Sequence, residues 1–295
     1  MIESKVGTGL SGKLAVVTGA STGIGKEIAR GLALQGAEVI LACRNALKAE
    51  AAKKDILASA PEAELTILKL DLASQSSIRD FVKAFYGDHA ALDILVNNAG
   101  MWSPDREIGP DGIERVWATN VLGPHLLTQL LLPALIEAGR RGSARIVNVA
   151  STQAGGLDAA DPEFQRRKYN GLTAYSQGKQ ANRMLTWELA EKLKGSGVTA
   201  NAMSPGLVKT ELNRSAKGLM GLAFGAMVGV MGMPPAKGAD TAVWLASSPA
   251  VEGVTGEFFV KRKERPCKFR QDKPAIERLS TMCDRMTGIK EAMPV

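Results

Sequence analysis

The run Lys13–Thr18 (KLAVVT) leads directly into Thr18–Gly25 (TGASTGIG), and the reading of this stretch decides the fold. The first part is short, apolar and β-branched, as a buried strand requires. Gly19, Gly23 and Gly25 then allow a sharp turn and a close backbone approach, and a helix begins at about Ile24. A strand, a glycine turn and a helix in that order form an anion cradle, because the helix N-terminus presents unpaired N–H groups and the positive end of its dipole. The spacing is Gly-x-x-x-Gly-x-Gly rather than the better-known Gly-x-Gly-x-x-Gly, so the turn alone does not name its ligand. Ser21, Thr22 and Ile24 complete the candidate cradle.

Outward from this unit the same alternation continues. Further apolar strands are expected at Glu38–Cys43, Leu65–Leu70, Leu92–Asn97, Arg145–Ala150, Val198–Met203 and Glu257–Val260. Helical segments are expected from about Ala46 and around 76–86, 113–137, 174–194 and 236–247. Nearly continuous apolar strands alternating with helices predict an α/β fold: a single doubly wound, Rossmann-type domain with a parallel sheet of about seven strands and helices on both faces. No repeat or linker divides the chain, so the expected organisation is an N-terminal extension (1–12), one domain (13–260) and a basic C-terminal tail (261–295). Two long connections, Thr152–Leu172 and Gly206–Pro235, follow strand C-terminal ends, where open α/β sheets bind ligands. The second contains the Met- and Gly-rich run Gly218–Met233 and is expected to be a flexible substrate lid. That run is shorter than the roughly 20 residues a membrane span needs, and no span is expected.

Composition narrows the function classes. The chain has 295 residues, 45% hydrophobic and 23% charged, with a formal charge of +7. Ten Lys or Arg against five acids from Lys261 onward concentrate that excess in the tail. The run Lys261–Arg265 lacks interleaved aromatics and any recognised binding motif, so no nucleic-acid partner is expected. Three cysteines without paired spacing and no apolar leader predict a cytoplasmic protein. Two histidines, His89 and His125, far from any cysteine, give no zinc-ligand pattern, and no metal is expected.

Two further places carry chemistry. The end of the second strand reads Ala42-Cys43-Arg44-Asn45, with no acid to receive a ribose 2′-hydroxyl. Arg44 is either a solvated strand-end cation or the receptor of a 2′-phosphate, and the second reading favours NADP(H) over NAD(H). Tyr175 and Lys179 lie four residues apart on one helix face, where a lysine lowers the pKa of a phenol by favouring its anion.

Taken together, the glycine turn, Asn97-Asn98-Ala99-Gly100 after the fourth strand, Ser151 after the fifth and the Tyr175/Lys179 pair resemble the short-chain dehydrogenase/reductase family, in order and nearly in spacing from about Lys13 to Val260. The resemblance implies roles. Gly19, Gly23 and Gly25 hold the phosphates. Asp71, with Leu72 beside it, holds the adenine, and Asn98, Ala99 and Gly100 flank the adenosine ribose. The catalytic set is Asn120, supporting a water-linked proton relay, Ser151 on the substrate oxygen, Tyr175 as proton donor and acceptor, and Lys179 on the nicotinamide ribose. Pro205, Gly206, Val208 and Thr210 fix the carboxamide. The 24-position interval from Ser151 to Tyr175 is about twice the usual one and is similar to the retinol dehydrogenase and WW-domain oxidoreductase subgroup, as is Ala42-Cys43-Arg44.

The expectation is an oxidoreductase that interconverts a small-molecule carbonyl and an alcohol, on a bulky apolar substrate suited to a Met-rich lid. A non-catalytic NADP-binding regulator and a lyase or epimerase on the same fold are the alternatives. The resemblance also implies a homodimer paired through the helices bearing Asn120 and Tyr175, which the long 152–172 loop would obstruct.

Overall fold

The computed structural model describes residues 9–209 and 232–289. The strands are β1 (Leu14–Thr18), β2 (Glu38–Cys43), β3 (Leu65–Lys69), β4 (Ile94–Asn97), β5 (Ala144–Val149), β6 (Val198–Ser204), β7 (Phe258–Val260) and β8 (Lys263–Glu264). They form one sheet in the order β3-β2-β1-β4-β5-β6-β7-β8, parallel except for the final β7–β8 pair. The helices are α1 (Gly23–Ala33), α2 (Ala46–Leu57), α3 (Gln75–Asp88), α4 (Arg115–Arg140), α5 (Gly171–Lys192), α6 (Pro235–Ser247) and α7 (Lys273–Thr287).

Strand alternation divides the core between the two faces. Ala15, Val17, Val39 and Leu41 pack against α1, α2 and α6, while Leu14, Val16, Ile40 and Ala42 pack against α3, α4 and α5. A sheet buried on both faces needs apolar residues at every strand position, which is why these strands read as continuous runs. The chain order reverses between β1 and β4, and every segment singled out in the sequence leaves its strand at the same C-terminal edge. The doubly wound expectation is met.

Three features were not read from the sequence. First, an eighth strand extends the expected seven: Lys261 and Arg262 both adopt positive φ (52° and 57°), the geometry of a two-residue hairpin turn, and reverse the chain from β7 into β8. The basic run is therefore this hairpin, with Arg262 ion-paired to Asp240. Second, residues 10–12 are not a free extension, because Leu10 is buried against the α1 face.

Third, the expected basic tail is a correction: it contains α7, which packs into the domain. Asp272 caps the helix by accepting from the Ala275 N–H (3.1 Å), and Gly288, in the left-handed region, ends it. Ile276, Leu279 and Cys283 bury one stripe against Trp117, Val121 and Leu122 of α4 and Ala181, Met184 and Trp187 of α5. His125 pairs with Asp284 at 2.6 Å, and Gln75 and Arg79 donate to the Met286 and Thr287 carbonyls. Charge on the outer face concealed an amphipathic helix. It occupies part of the α4–α5 surface through which the family resemblance implies pairing.

The helix α4 is long and apolar enough to span a membrane by length and composition alone. Leu126, Leu127, Leu131, Ala134 and Leu135 are fully buried in the domain, the pattern of a core helix. Most of the expected lid, including the bulk of the run Gly218–Met233, lies outside the described residues. Its base is pinned: Met233 donates to the Leu207 carbonyl (2.9 Å) and Lys209 donates to that of Met233 (3.1 Å).

Because Leu279 is fully buried, Leu279→Ala is expected to cost about 2–5 kcal/mol in urea denaturation. A cost below ~0.5 kcal/mol, typical of a surface change, would show that α7 is not part of the folded unit.

Candidate active site

The glycine turn is shaped for an anion. Gly19 and Gly23 have φ of 67° and 56°, which side chains with a Cβ rarely adopt. A Cβ on Gly25 would overlap the Gly19 carbonyl and the Asn98 amide. Thr22, at the N-cap of α1, makes no side-chain capping bond, so its side chain does not take up the first-turn N–H groups. Ser21 is hydrogen-bonded with Cys43, whose thiol burial pushes up to about 11, so that it packs beneath the turn as an inert neutral group.

The switch point is tied across β1 and β4. Asn98 Nδ2 donates to the Thr18 carbonyl (2.9 Å), and Thr18 Oγ1 accepts from the Asn98 and Ala99 N–H groups (3.0 Å each). Gly100 is adjacent to Asn120 and Lys179: a Cβ there would lie 3.5 Å from both Asn120 Oδ1 and Lys179 Nζ. This is a bare approach surface bounded by an amide and an ammonium.

The adenosine end is less uniform. Arg44 is 60% exposed at its side chain, with Nη1 4.0 Å from Asp71 Oδ2, so the two residues expected to read this end stand together. Asp71 is itself fixed by accepting from the Ala73 N–H (3.0 Å). Asn45, next to Arg44, caps α2, its Oδ1 accepting from the Lys48 N–H (2.9 Å). The Leu72 side chain is buried in the core, leaving only its backbone to face a ligand. On the other side, Pro205 and Gly206 leave β6 and Val208 is buried beside Gly238. Thr210 lies outside the described residues.

The expected catalytic side chains converge beside this cradle. Lys179 is buried, donates to the Val149 carbonyl at 2.8 Å, and has its Nζ 5.6 Å from the Tyr175 ring centroid. Ser151 and Tyr175 are hydrogen-bonded, and Ser151 Oγ also accepts from the Gln153 N–H (3.0 Å). Asn120 sits in a π-helical turn, Ala118–Leu122, within α4. Its amide grips the backbone of Met101, accepting from the N–H (2.7 Å) and donating to the carbonyl (2.8 Å).

One electrostatic expectation is corrected. Burial dominates at Tyr175 and raises its pKa, with the Ser151 hydrogen bond pulling the other way. Burial likewise lowers Lys179 from 10.5 to about 8. The sequence predicted a phenol depressed by its lysine, but desolvation of both groups outweighs that attraction.

The loop between Ser151 and Tyr175 is ordered around Asp161, whose carboxylate accepts from the N–H groups of Gln165 (2.7 Å), Arg166 (3.2 Å) and Arg167 (2.9 Å). Gln177, two residues after Tyr175, clamps it by donating to the Pro162 carbonyl (2.6 Å). Phe164 and Tyr169 of this loop, with Met101, form an apolar cluster against Val116 and Ala174. Among the described residues no group of three His, Cys, Asp or Glu is placed to hold a metal ion.

A doubly wound sheet with an anion cradle at its switch point and a Ser–Tyr–Lys cluster one strand away defines a dinucleotide-binding oxidoreductase architecture. The family model for short chain dehydrogenases matches residues 13–218, and the chain belongs to that family. It is 38% identical to mouse retinol dehydrogenase 13 (Mus musculus) over 96% of this chain and 86% of that protein. It is 40% identical to a probable oxidoreductase of Streptomyces antibioticus over 90% of each. Among solved structures, an uncharacterized Mycobacterium paratuberculosis protein superposes with TM-score 0.75 (27% identity, 96% of each chain). The Pseudomonas aeruginosa RhlG/NADP active-site complex superposes with TM-score 0.67 (29% identity; 85% of this chain, 94% of that one). The 3-ketoacyl-(acyl-carrier-protein) reductase from Brucella melitensis, complexed with NADH, also gives 0.67 (28% identity; 85% and 96%).

Lys179 titrates near 8 when folded and near 10.5 when unfolded, so between these values the unfolded chain binds more protons and stability rises with pH. The buried charge is a constant cost below that window. Relative to Lys179→Met, the wild type is therefore expected to gain stability between pH 7 and pH 10 in urea denaturation. An unchanged difference would place Lys179 in contact with solvent.

Proposed function

We propose that the protein is an NADP(H)-dependent oxidoreductase that interconverts a carbonyl and an alcohol, with Tyr175 as the general acid and base. The observation that carries this reading is the convergence of Ser151, Tyr175 and Lys179 beside a glycine cradle that leaves room only for backbone. The residues fit a dinucleotide: Gly19, Gly23 and Gly25 would admit its pyrophosphate to the N-terminus of α1, and Gly100 and Lys179 would face its nicotinamide ribose. When bound, NADPH supplies a hydride for the carbonyl carbon.

The protein's own groups do the rest. Ser151 Oγ donates a hydrogen bond to the substrate oxygen, and the Tyr175 hydroxyl gives that oxygen its proton. Burial holds the phenol protonated at neutral pH, the form that serves reduction. Lys179 keeps its ammonium close enough to favour the phenolate as it forms.

Arg44, exposed at the end of β2 with no acid on that strand end, supports NADP over NAD. The relatives named as retinol dehydrogenases and the apolar cluster of Met101, Phe164 and Tyr169 support a bulky apolar substrate.

NADPH absorbance followed across a panel of aldehydes and ketones tests the reading. Turnover of a bulky apolar carbonyl by the wild type, reduced about 10²–10⁴-fold in Tyr175→Phe, is expected. Equal rates in the two proteins would sink it. Cofactor choice is separable: Arg44→Asp should weaken NADPH binding about 10–100-fold and leave NADH nearly unchanged, as read by fluorescence titration. Equal losses for both cofactors would remove Arg44 from phosphate recognition.

A further inference from the structure

The helix that carries Tyr175 and Lys179 places a second cation on the same stripe, Arg183, a further four residues along. Its side chain is buried, and its guanidinium lies flat on the Phe258 ring of β7, 3.6 Å from the centroid. One terminal nitrogen donates to the backbone carbonyl of Ser151, and the other approaches Cys267 Sγ at 3.4 Å. Its Nε is buried without a hydrogen-bond partner, and no carboxylate ion-pairs with it among the described residues.

A guanidinium so placed is a poor stabilising device, because a buried charge keeps its desolvation cost when no counter-ion offsets it. What it supplies is geometry: a rigid fork, locked between an aromatic ring and a carbonyl. The carbonyl it holds belongs to the residue whose hydroxyl is to act. Around Ser151 the backbone is gripped in sequence: Lys179 holds the Val149 carbonyl, the Met203 carbonyl accepts from the Ala150 N–H (2.8 Å), and Ser204 Oγ accepts from the Thr152 N–H (3.0 Å). Arg183 closes the gap between these tethers at Ser151 itself.

We propose that Arg183 is a positioning residue that fixes the Ser151 peptide, and through Phe258 and Cys267 couples the orientation of the Ser151 hydroxyl to the chain that follows β7. This rests on the reading of Ser151 as the group that binds the substrate oxygen. Arg183 acts through the serine and touches no reacting atom, so its loss is expressed in turnover rather than in binding.

The test compares wild type, Arg183→Met, which keeps the length of the stem, and Arg183→Lys, which keeps a cation able to reach the carbonyl. Expected for Arg183→Met is a kcat lowered about 10–100-fold with KM and NADPH affinity within about threefold, since small misplacements at a reacting centre cost rate. Arg183→Lys is expected to recover at least half of that loss on a logarithmic scale. Hydrogen exchange of a peptide spanning 150–154 reads the same clamp without turnover and should quicken in Arg183→Met. Exchange and kcat both within twofold of wild type would overturn the proposal, as would a uniform loss of cofactor binding that lysine does not rescue. If the wild type turns over no carbonyl, the functional reading fails, and the exchange result alone decides the clamp: faster exchange supports it and unchanged exchange overturns it.

Discussion

A buried ammonium must find dipoles where it finds no water, and Lys179 finds the Val149 carbonyl at the end of β5. With the Arg183 bond to the Ser151 carbonyl and the Asn148 bond to Thr186, it joins the helix bearing Tyr175 to β5 and the residue that follows it. These ties bring together two groups that are 24 positions apart in the chain. The closure between them is made by side chains of α5 and β5 as well as by the connecting loop. Asp161 and Gln177 give the insertion a definite shape.

The cofactor side rests on a complementary principle, the removal of side-chain atoms where a ligand must approach. Positive φ at Gly19 and Gly23 turns the backbone, and the bare Cα of Gly25 lets α1 begin directly over the end of β1. Thr18 accepts three hydrogen bonds across the switch point, two from Asn98 and one from Ala99, which ties the crevice floor together. Desolvation is the cost of such an enclosed site. It acts on Tyr175 and Lys179 in opposite directions, raising the one and lowering the other. Their titrations are thereby moved apart, the lysine falling and the tyrosine rising, so burial favours the neutral form of each.

Strands, their parallel order and the convergence of Ser151, Tyr175 and Lys179 were legible in the sequence because each rests on local signals that tertiary packing reinforces. Apolar runs demand burial on both faces, and a Tyr–Lys pair four apart shares a helix face whatever surrounds it. The misses share a different cause. Asn45 caps α2 through the Lys48 N–H, a role that its place after the second strand did not bring out. The π-turn at Asn120, whose side chain binds Met101 nineteen residues earlier, leaves no trace in the local pattern. The α7 helix was legible in principle, from Asp272, the stripe Ile276, Leu279, Cys283, and Gly288. A count of its charges obscured the period of its apolar face.

That helix alters how the site is supported. In a doubly wound sheet the outer surfaces of α4 and α5 are exposed unless something covers them, and Trp117, Met184 and Trp187 would leave a large apolar patch in water. The C-terminal chain covers it from within the same molecule, beginning at the hairpin after β7 and ending beside α3. Along its course it touches the helix of Tyr175 twice, at Cys267 beside Arg183 and along the α7 stripe. The segment that looked like a charged appendage is thus wedged behind the two helices that hold Asn120 and Tyr175. It meets them through the packed side chains of the α7 stripe and, at Cys267, through the single guanidinium of Arg183.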